Sequence, residues 1–359
     1  MGEIFEYERP DNYIVASEKY SDSYSIPVLT ANQAFVLGYT NETSGIYDKG
    51  PVILFDDFTC DMKYADFPFK VKSSAMKLLT PKEGIPIFYA YNLLQHINYK
   101  PEGHARHWIS IMQPIKVSLP CYIEQKRISE FLSLVCKRIE KHQMLIDALK
   151  KYKRGVVKTL LDPKQNQRQG VIWNTDTIGN LGTFIKGAAL SKADISDFGT
   201  PFILYGELYT TYKEVVRTIV RTTQANVDDV YLSKVGDVVI PTSGETPEEI
   251  STASCIMVPN VILAGDLNIY RSTIVNGRIM SYLLNYIVND QIARVAQGKS
   301  VVHIQASEVG KISITYPDHN EQERISQILE LIDNRIAVSE KALNSMQMMK
   351  KALLQQLFI

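Results

Sequence analysis

Glu124–Leu161, EQKRISEFLSLVCKRIEKHQMLIDALKKYKRGVVKTLL, returns 197 residues later without a gap as Glu321–Phe358, EQERISQILELIDNRIAVSEKALNSMQMMKKALLQQLF. Identical pairs include Glu124/Glu321, Gln125/Gln322, Arg127/Arg324, Ile128/Ile325, Ser129/Ser326, Leu132/Leu329, Arg138/Arg335 and Ile139/Ile336, and Pro120 and Pro317 precede the two copies at the same offset. A repeat of this kind is a duplication, and it must be read before any motif. Neither copy contains proline, one glycine (Gly155) occurs in the pair, and the apolar residues recur in steps of four and three, so both are long helices.

The apolar stripe predicts an inter-helix seam. In the first copy it runs through Ile128, Leu132, Val135, Ile139, Ile146 and Leu149, and in the second through Ile325, Leu329, Ile332, Ile336, Leu343 and Met346. Polar residues interrupt it at matched places, His142 with Ser339 and Lys153 with Lys350, as coiled coils do to set register. A stripe of this width could also lie on a helix's own globular module. Thirty-eight residues make a rod of roughly 57 Å, longer than such a module is wide, which favours pairing of the two helices as an antiparallel coiled coil.

Each helix follows a globular module. Gly2–Phe5 resembles Leu181–Phe184, Ile26–Leu29 resembles Thr200–Leu204, and Pro51–Phe55 resembles Asp237–Ile240. A helical stretch at Tyr91–Asn98 matches Tyr282–Asn289, Gly103–Ile109 parallels Gly298–Ile304, and the expected strands Ile115–Leu119 and Lys311–Tyr316 follow. Short apolar runs rich in Val, Ile, Tyr and Phe, broken by Gly, Pro, Asn and Asp, describe mostly β modules with a few helices. The expected class is α+β, a pseudo-twofold repeat of two mostly β domains and two long helices. The divisions are a first domain at 1–120, a first helix at 121–161, a linker at 162–172, a second domain at 173–316 and a second helix at 317–359. The linker is placed on the polar, aperiodic run DPKQNQRQ, Asp162–Gln169.

A chain of 359 residues has room for two cores, and 39 basic against 39 acidic residues with 45% hydrophobic content describes a globular protein. No apolar run is long enough to span a membrane and the acidic N-terminus is unlike a signal peptide, so a cytoplasmic protein without membrane contact is expected. Cys60, Cys121, Cys136 and Cys255 lie far apart, without zinc-ligand spacing, and read as reduced, mostly buried thiols. His104 and His107 are three apart without an accompanying carboxylate or thiol and read as polar loop residues rather than metal ligands. Phosphate loops, dinucleotide fingerprints, zinc-protease motifs, nucleophile elbows and the adenine methyltransferase tetrad are all missing, so neither a catalytic residue nor a metal is expected.

The doubled order of a β-rich module, a proline and Glu-Gln-x-Arg-Ile opening a long helix resembles the specificity (S) subunit of type I restriction-modification enzymes. The likeness covers nearly the whole chain, most specifically Pro120 with Glu124–Leu161 and Pro317 with Glu321–Phe358. It implies that the modules are target-recognition domains, each reading one half of a split DNA site, and that the long helices are spacer regions docking methyltransferase subunits. The differing loop residues of the modules make the expected site asymmetric, and the two repeated helices suggest a pseudo-twofold surface for two copies of one partner. The likeness also implies a subunit that catalyses nothing, binds no cofactor and joins restriction and translocase subunits indirectly. S-adenosylmethionine, ATP and Mg belong to the partners. One departure is that Met1 opens directly on the GEIF element, without the residues that precede Leu181, so the first domain is expected to lack an edge element or to have been trimmed.

Reading DNA needs cations for phosphates and amide, guanidinium, hydroxyl or carboxylate groups for base edges. Candidates in the first module are Thr30, Asn32, Gln33, Thr59, Lys63 and Tyr64, with Asp56 and Asp57 beside them. In the second they are Tyr205, Glu207, Tyr209, Lys213, Arg217, Arg221, Ser243 and Glu245, accompanied by Thr210, Tyr212, Thr222, Gln224 and Thr246. Taken singly, each fits an ordinary solvated loop, and the resemblance makes them a recognition set. Lys150, Lys151, Lys153, Arg154 and Lys158 cluster late in the first helix, where the helix dipole alone would favour cations. Zero net charge predicts weak DNA binding by the chain alone and tight binding with its partners. Two other readings are a two-headed scaffold binding protein ligands across the coiled coil, and the specificity component of a related methylation-based defence system.

Overall fold

In the computed structural model the described residues are 1–358 apart from 32, 33, 98, 102, 104, 167–169, 297, 299 and 300. The chain divides into two compact units, Met1–Met144 with Glu340–Ile359, and Leu145–Ser339. Each takes in one module and a segment of both long helices, Tyr122–Leu161 and His319–Leu357.

The first unit is organised by Val52–Asp56, buried at all five positions. A strand buried on both sides must have both faces covered, and period-two alternation divides its side chains between two cores. Ile53 and Phe55 join Leu79, Leu93 and Trp108 on one face, while Val52 and Leu54 join Tyr47, Phe69 and Leu78 on the other. The sheet is antiparallel, in the order Phe5–Glu8, Met76–Pro81, Val52–Asp56, Met62–Ala65. A second sheet orders Val36–Thr40, Ile26–Leu29 and Lys70–Val71. The Ile87–Ile97 helix supplies Tyr89, Leu93 and Leu94 to the first core, which also holds Ile128 and Leu132 of the first long helix and Phe358 at the end of the second.

The second unit repeats this plan around Asp237–Pro241, again buried at five positions. Val238 and Ile240 face one core and Val239 the other. Here the sheet has five strands, in the order Val215–Val216, Ser254–Ile256, Asp237–Pro241, Leu267–Arg271, Thr183–Lys186. A three-stranded sheet of Arg221–Thr223, Thr200–Leu204 and Ile262–Ala264 stands beside it, and the Gly277–Tyr286 helix takes the part of Ile87–Ile97. Val157 and Leu161 of the first long helix share a core with Ile325 and Leu329 of the second. Lys153 meets Asp333 at 2.6 Å and Asn166 meets Glu321 at 2.9 Å, so within this unit the two helical segments run antiparallel.

The strand expected at Ile115–Leu119 is absent. Its counterpart Ser313–Pro317 is a strand because Trp173–Thr177 pairs with it in antiparallel register. Among the described residues nothing pairs so with 115–119, and the carbonyls of Gln113 and Ile115 instead accept the Met1 ammonium. The linker is also less detached than its composition implies. Asn166 is buried and donates to Leu160 O and Glu321 Oε1, and Ile172 N donates to Asp318 Oδ2 at 3.0 Å.

All twelve seam residues are buried or half-buried, whereas Leu134, one face away, is 68% exposed. Leu132→Ala empties a fully buried site and is expected to cost about 2–5 kcal/mol. Leu134→Ala should change the stability of the isolated chain by less than about 0.5 kcal/mol. Urea denaturation of the two variants beside the parent chain checks the contrast.

Candidate nucleic-acid interface

The polar candidates separate by where the strands put them. In the first module Thr30 closes the end of Ile26–Leu29, its N–H on Phe35 O at 3.0 Å, and Asn32 and Gln33 lie outside the described residues. Thr59 is exposed on the turn after Val52–Asp56. Asp56 Oδ1 shapes that turn by accepting from Phe58 N at 2.8 Å and Thr59 N at 3.0 Å, and Cys60 completes it at φ +58°.

Asp56 and Asp57 are turned into the fold. Both are buried, and Asp57 accepts from Trp108 N at 2.8 Å while pairing with the buried Lys77 at 3.1 Å. Lys63 and Tyr64 lie on Met62–Ala65 and not on a loop, paired across to Leu54 and Ile53. Tyr64 packs edge-on against Phe88 at 5.5 Å, which spends its ring on the fold. His107, expected on a polar loop, is 2% exposed with its ring against Tyr99, and His104 lies outside the described residues.

In the second module Glu207 is buried. Its carboxylate accepts from Leu204 N at 3.2 Å and from Arg221 Nε at 2.7 Å, so this pair closes the loop on itself. Ser243 is also buried and donates to Asp266 Oδ2 at 3.1 Å. Sequence inventory marks such residues as readers because a side chain bonded to its own loop has the same formula as one offered to a ligand. Tyr205 and Tyr209 are half-buried, Lys213, Arg217 and Glu245 are exposed, and Tyr209, Lys213 and Arg217 line one cleft beside the first long helix. Among the described residues no group of three or more His, Cys, Asp or Glu side chains is placed to hold a metal. The four cysteines are unpaired, Cys60 and Cys255 buried, Cys136 half-buried and Cys121 exposed. Burial first, then neighbouring carboxylates, pushes the Cys60 thiol up to about 11.

Sequence reasoning missed the charged cluster behind that cleft. Lys153, 5% exposed, meets Glu214 at 2.8 Å and Asp333 at 2.6 Å and stands over the Tyr282 ring at 5.1 Å. Tyr286 donates to Glu214 and Tyr282 to Asp333. Burial opposes the Glu214 carboxylate, yet the Lys153 ammonium and the bonds from Lys153 and Tyr286 outweigh it and hold its pKa below the usual range. Burial, and then the adjacent carboxylates, push both tyrosine hydroxyls up, so they stay protonated as donors. Arg278 extends the network, reaching Glu323 and Glu330 at 3.1 Å, with Arg217 on Glu330 at 2.6 Å. The signal in the sequence was Lys153 itself, a charge inside an apolar stripe, which must be met by buried acids.

Comparison with known proteins agrees with this architecture. Residues 1–151 and 171–347 match the family described as the type I restriction modification DNA specificity domain. The specificity subunit of the Escherichia coli type I restriction enzyme EcoR124I/EcoR124II is 31% identical over 366 residues, covering 93% of this chain and 85% of that protein. Two solved structures share the fold at low identity. One is the S subunit of a type I restriction-modification system from M. genitalium, with a TM-score of 0.65, 15% identity and coverage of 100% of this chain and 94% of that one. The other comes from a study of complex assembly and conformational transition of the type I R-M system, with a TM-score of 0.54, 14% identity and coverage of 99% and 97%. The chain belongs to the family of type I restriction-modification DNA specificity subunits and carries two copies of its domain.

Removing Lys153 as Lys153→Met leaves the half-buried carboxylates of Glu214 and Asp333 without their shared cation and should cost about 3 kcal/mol. Glu214 has a lowered folded pKa, so its contribution is complete above its unfolded value of 4.5 and is lost as pH falls through the folded one. The stability gap between parent and Glu214→Gln should therefore narrow below about pH 4.5. Denaturant titrations at pH 7 and across the acid range measure both effects.

Proposed function

We propose that this chain is the non-catalytic, DNA-reading subunit of a type I restriction-modification complex, its two modules reading the unlike halves of a bipartite, asymmetric target. The long helices space the modules and dock two methyltransferase subunits, through which restriction and translocase subunits join. The partners bind S-adenosylmethionine, ATP and Mg, and carry adenine methylation and cleavage.

The observation that carries this reading is a second apolar stripe, exposed and repeated. Leu134 and its counterpart Leu331 are 68% and 70% exposed, and Tyr152 and its counterpart Met349 are exposed as well. On the first helix Ile123, Leu134, Leu145 and Tyr152 follow in steps of 11, 11 and 7, and on the second Leu331, Val338 and Met349 follow in steps of 7 and 11. Those steps bring residues back to one helical face. Apolar faces of this kind call for helical partners, and a face present twice suits two copies of one partner. By contrast, the loop residues of the two modules do not repeat, as two unlike half-sites require.

Exchanging residues 1–120 for the first module of another family member should alter one half of the methylated sequence and leave the other unchanged. Lengthening both long helices should alter the spacing between the halves. Leu134→Asp with Leu331→Asp should weaken methyltransferase binding by roughly 10- to 100-fold while the chain stays folded. Methylome sequencing reads the first two and calorimetry with the partner subunit the third. A module exchange that leaves the methylated sequence as it was would sink the reading.

A further inference from the structure

The long helices carry another repeated feature, away from the exposed apolar face. Of Lys150, Lys151, Lys153, Arg154 and Lys158, only two return as cations 197 residues later, Lys153 as Lys350 and Arg154 as Lys351. The others become Gln347, Met348 and Gln355. The helix dipole acts within the last turn and selects no particular side, whereas Arg154 stands about two turns before Leu161.

Both repeated pairs line a cleft. In the second unit Lys153 and Arg154 share a cleft of about 500 Å³ with Lys213, Arg217 and Arg278 and with Glu214, Glu330 and Asp333, three acids that Lys153, Arg217 and Arg278 already pair. In the first unit Lys350 and Lys351 line one of about 510 Å³ with Thr59, Gln95, Tyr99 and Lys100, against a single acid, Asp61. The inner lysine is held in each case, Lys153 by Glu214 and Asp333, and Lys350 by Gln95 Oε1 at 3.3 Å. The outer cations, Arg154 and Lys351, are exposed, as are Lys213 and Lys100 in the same two linings. At 100° per residue Arg154 lies about 160° around the helix from Tyr152, and Lys351 equally far from Met349. The cationic rims therefore lie on the flank opposite the apolar face.

What both halves of the chain keep must meet something that both halves of its ligand keep. Base edges differ between the half-sites, while the sugar-phosphate backbone is the same in each and is held by cations without regard to sequence. We propose that the two clefts are seats for backbone phosphates of the DNA duplex, Arg154 with Lys213 forming one rim and Lys351 with Lys100 the other. This rests on the DNA-reading function proposed above. The seats position the duplex, and the module loops read it.

The test uses the full chain assembled with its methyltransferase subunits. Arg154→Gln and Lys351→Gln, singly and together, are titrated with cognate and single-base-pair-changed duplexes over a range of salt. Each substitution should weaken binding roughly three- to tenfold near physiological salt, equally on both duplexes, and flatten the slope of log affinity against log salt by roughly 1. Arg154→Lys and Lys351→Arg should restore the slope, and the methylated sequence should not change. An unchanged slope, or a loss confined to one duplex, overturns the proposal. So does loss of methyltransferase from the complex on size exclusion, which would assign the clefts to an acidic protein segment. A parent complex that binds all duplexes alike, with slopes still falling in the variants, would refute the specificity reading and leave the phosphate seats standing.

Discussion

The arrangement of the second unit depends on one buried ammonium. Lys153 is satisfied by two carboxylates at once, Asp333 from the other long helix and Glu214 from the module. A charge buried without such partners would cost several kcal/mol, so helix, partner helix and module have one relative position in which this site is satisfied. Sliding the second helix by a turn would carry Asp333 about 5 Å away and break the Lys153–Asp333 pair. Hydrophobic packing of Val157 and Leu161 with Ile325 and Leu329 supplies the larger share of cohesion, but apolar contacts tolerate neighbouring registers better than an ion pair does.

The first unit solves the same problem with less charge. Lys350, the counterpart of Lys153, is half-buried and meets the neutral amide of Gln95, and burial of Leu132 and Phe358 fixes the helical segments on the module. The duplication thus kept the position of the cation and let its partners diverge. One unit is pinned by electrostatics and packing together, and the other mainly by packing.

Much of this was legible in the sequence because periodic burial leaves a periodic trace. The helices appear as 3.6-residue stripes, and the central strands Val52–Asp56 and Asp237–Pro241 as short unbroken apolar runs covered on both faces. Residues whose role depends on a distant partner left no such trace. Ile115–Leu119 has the composition of a strand, but a strand exists only where a neighbour completes its hydrogen bonds. Glu207, Ser243, Asp56 and Asp57 carry groups of the kind that can read bases, yet each is bonded within the fold, to a backbone N–H, an arginine, a lysine or an aspartate. The buried cluster was foreshadowed by Lys153 alone, since Glu214, Tyr282 and Tyr286 are dispersed in sequence and meet through the fold.

The balance of charge bears on how affinity and specificity are divided. With 39 basic and 39 acidic residues the chain has little net field to draw a polyanion. Many of its cations are already engaged: Lys77, Lys153, Arg221 and Arg278 all meet carboxylates. A protein that bound DNA tightly by itself would leave such groups free for phosphates. Here they tie loops and junctions to the fold, and a loop already held in place needs less ordering on binding. In the proposed division the cations are invested in holding shape, and most of the attraction for DNA is left to the partner subunits. Under that proposal, specificity could change by loop substitution without altering the long helices.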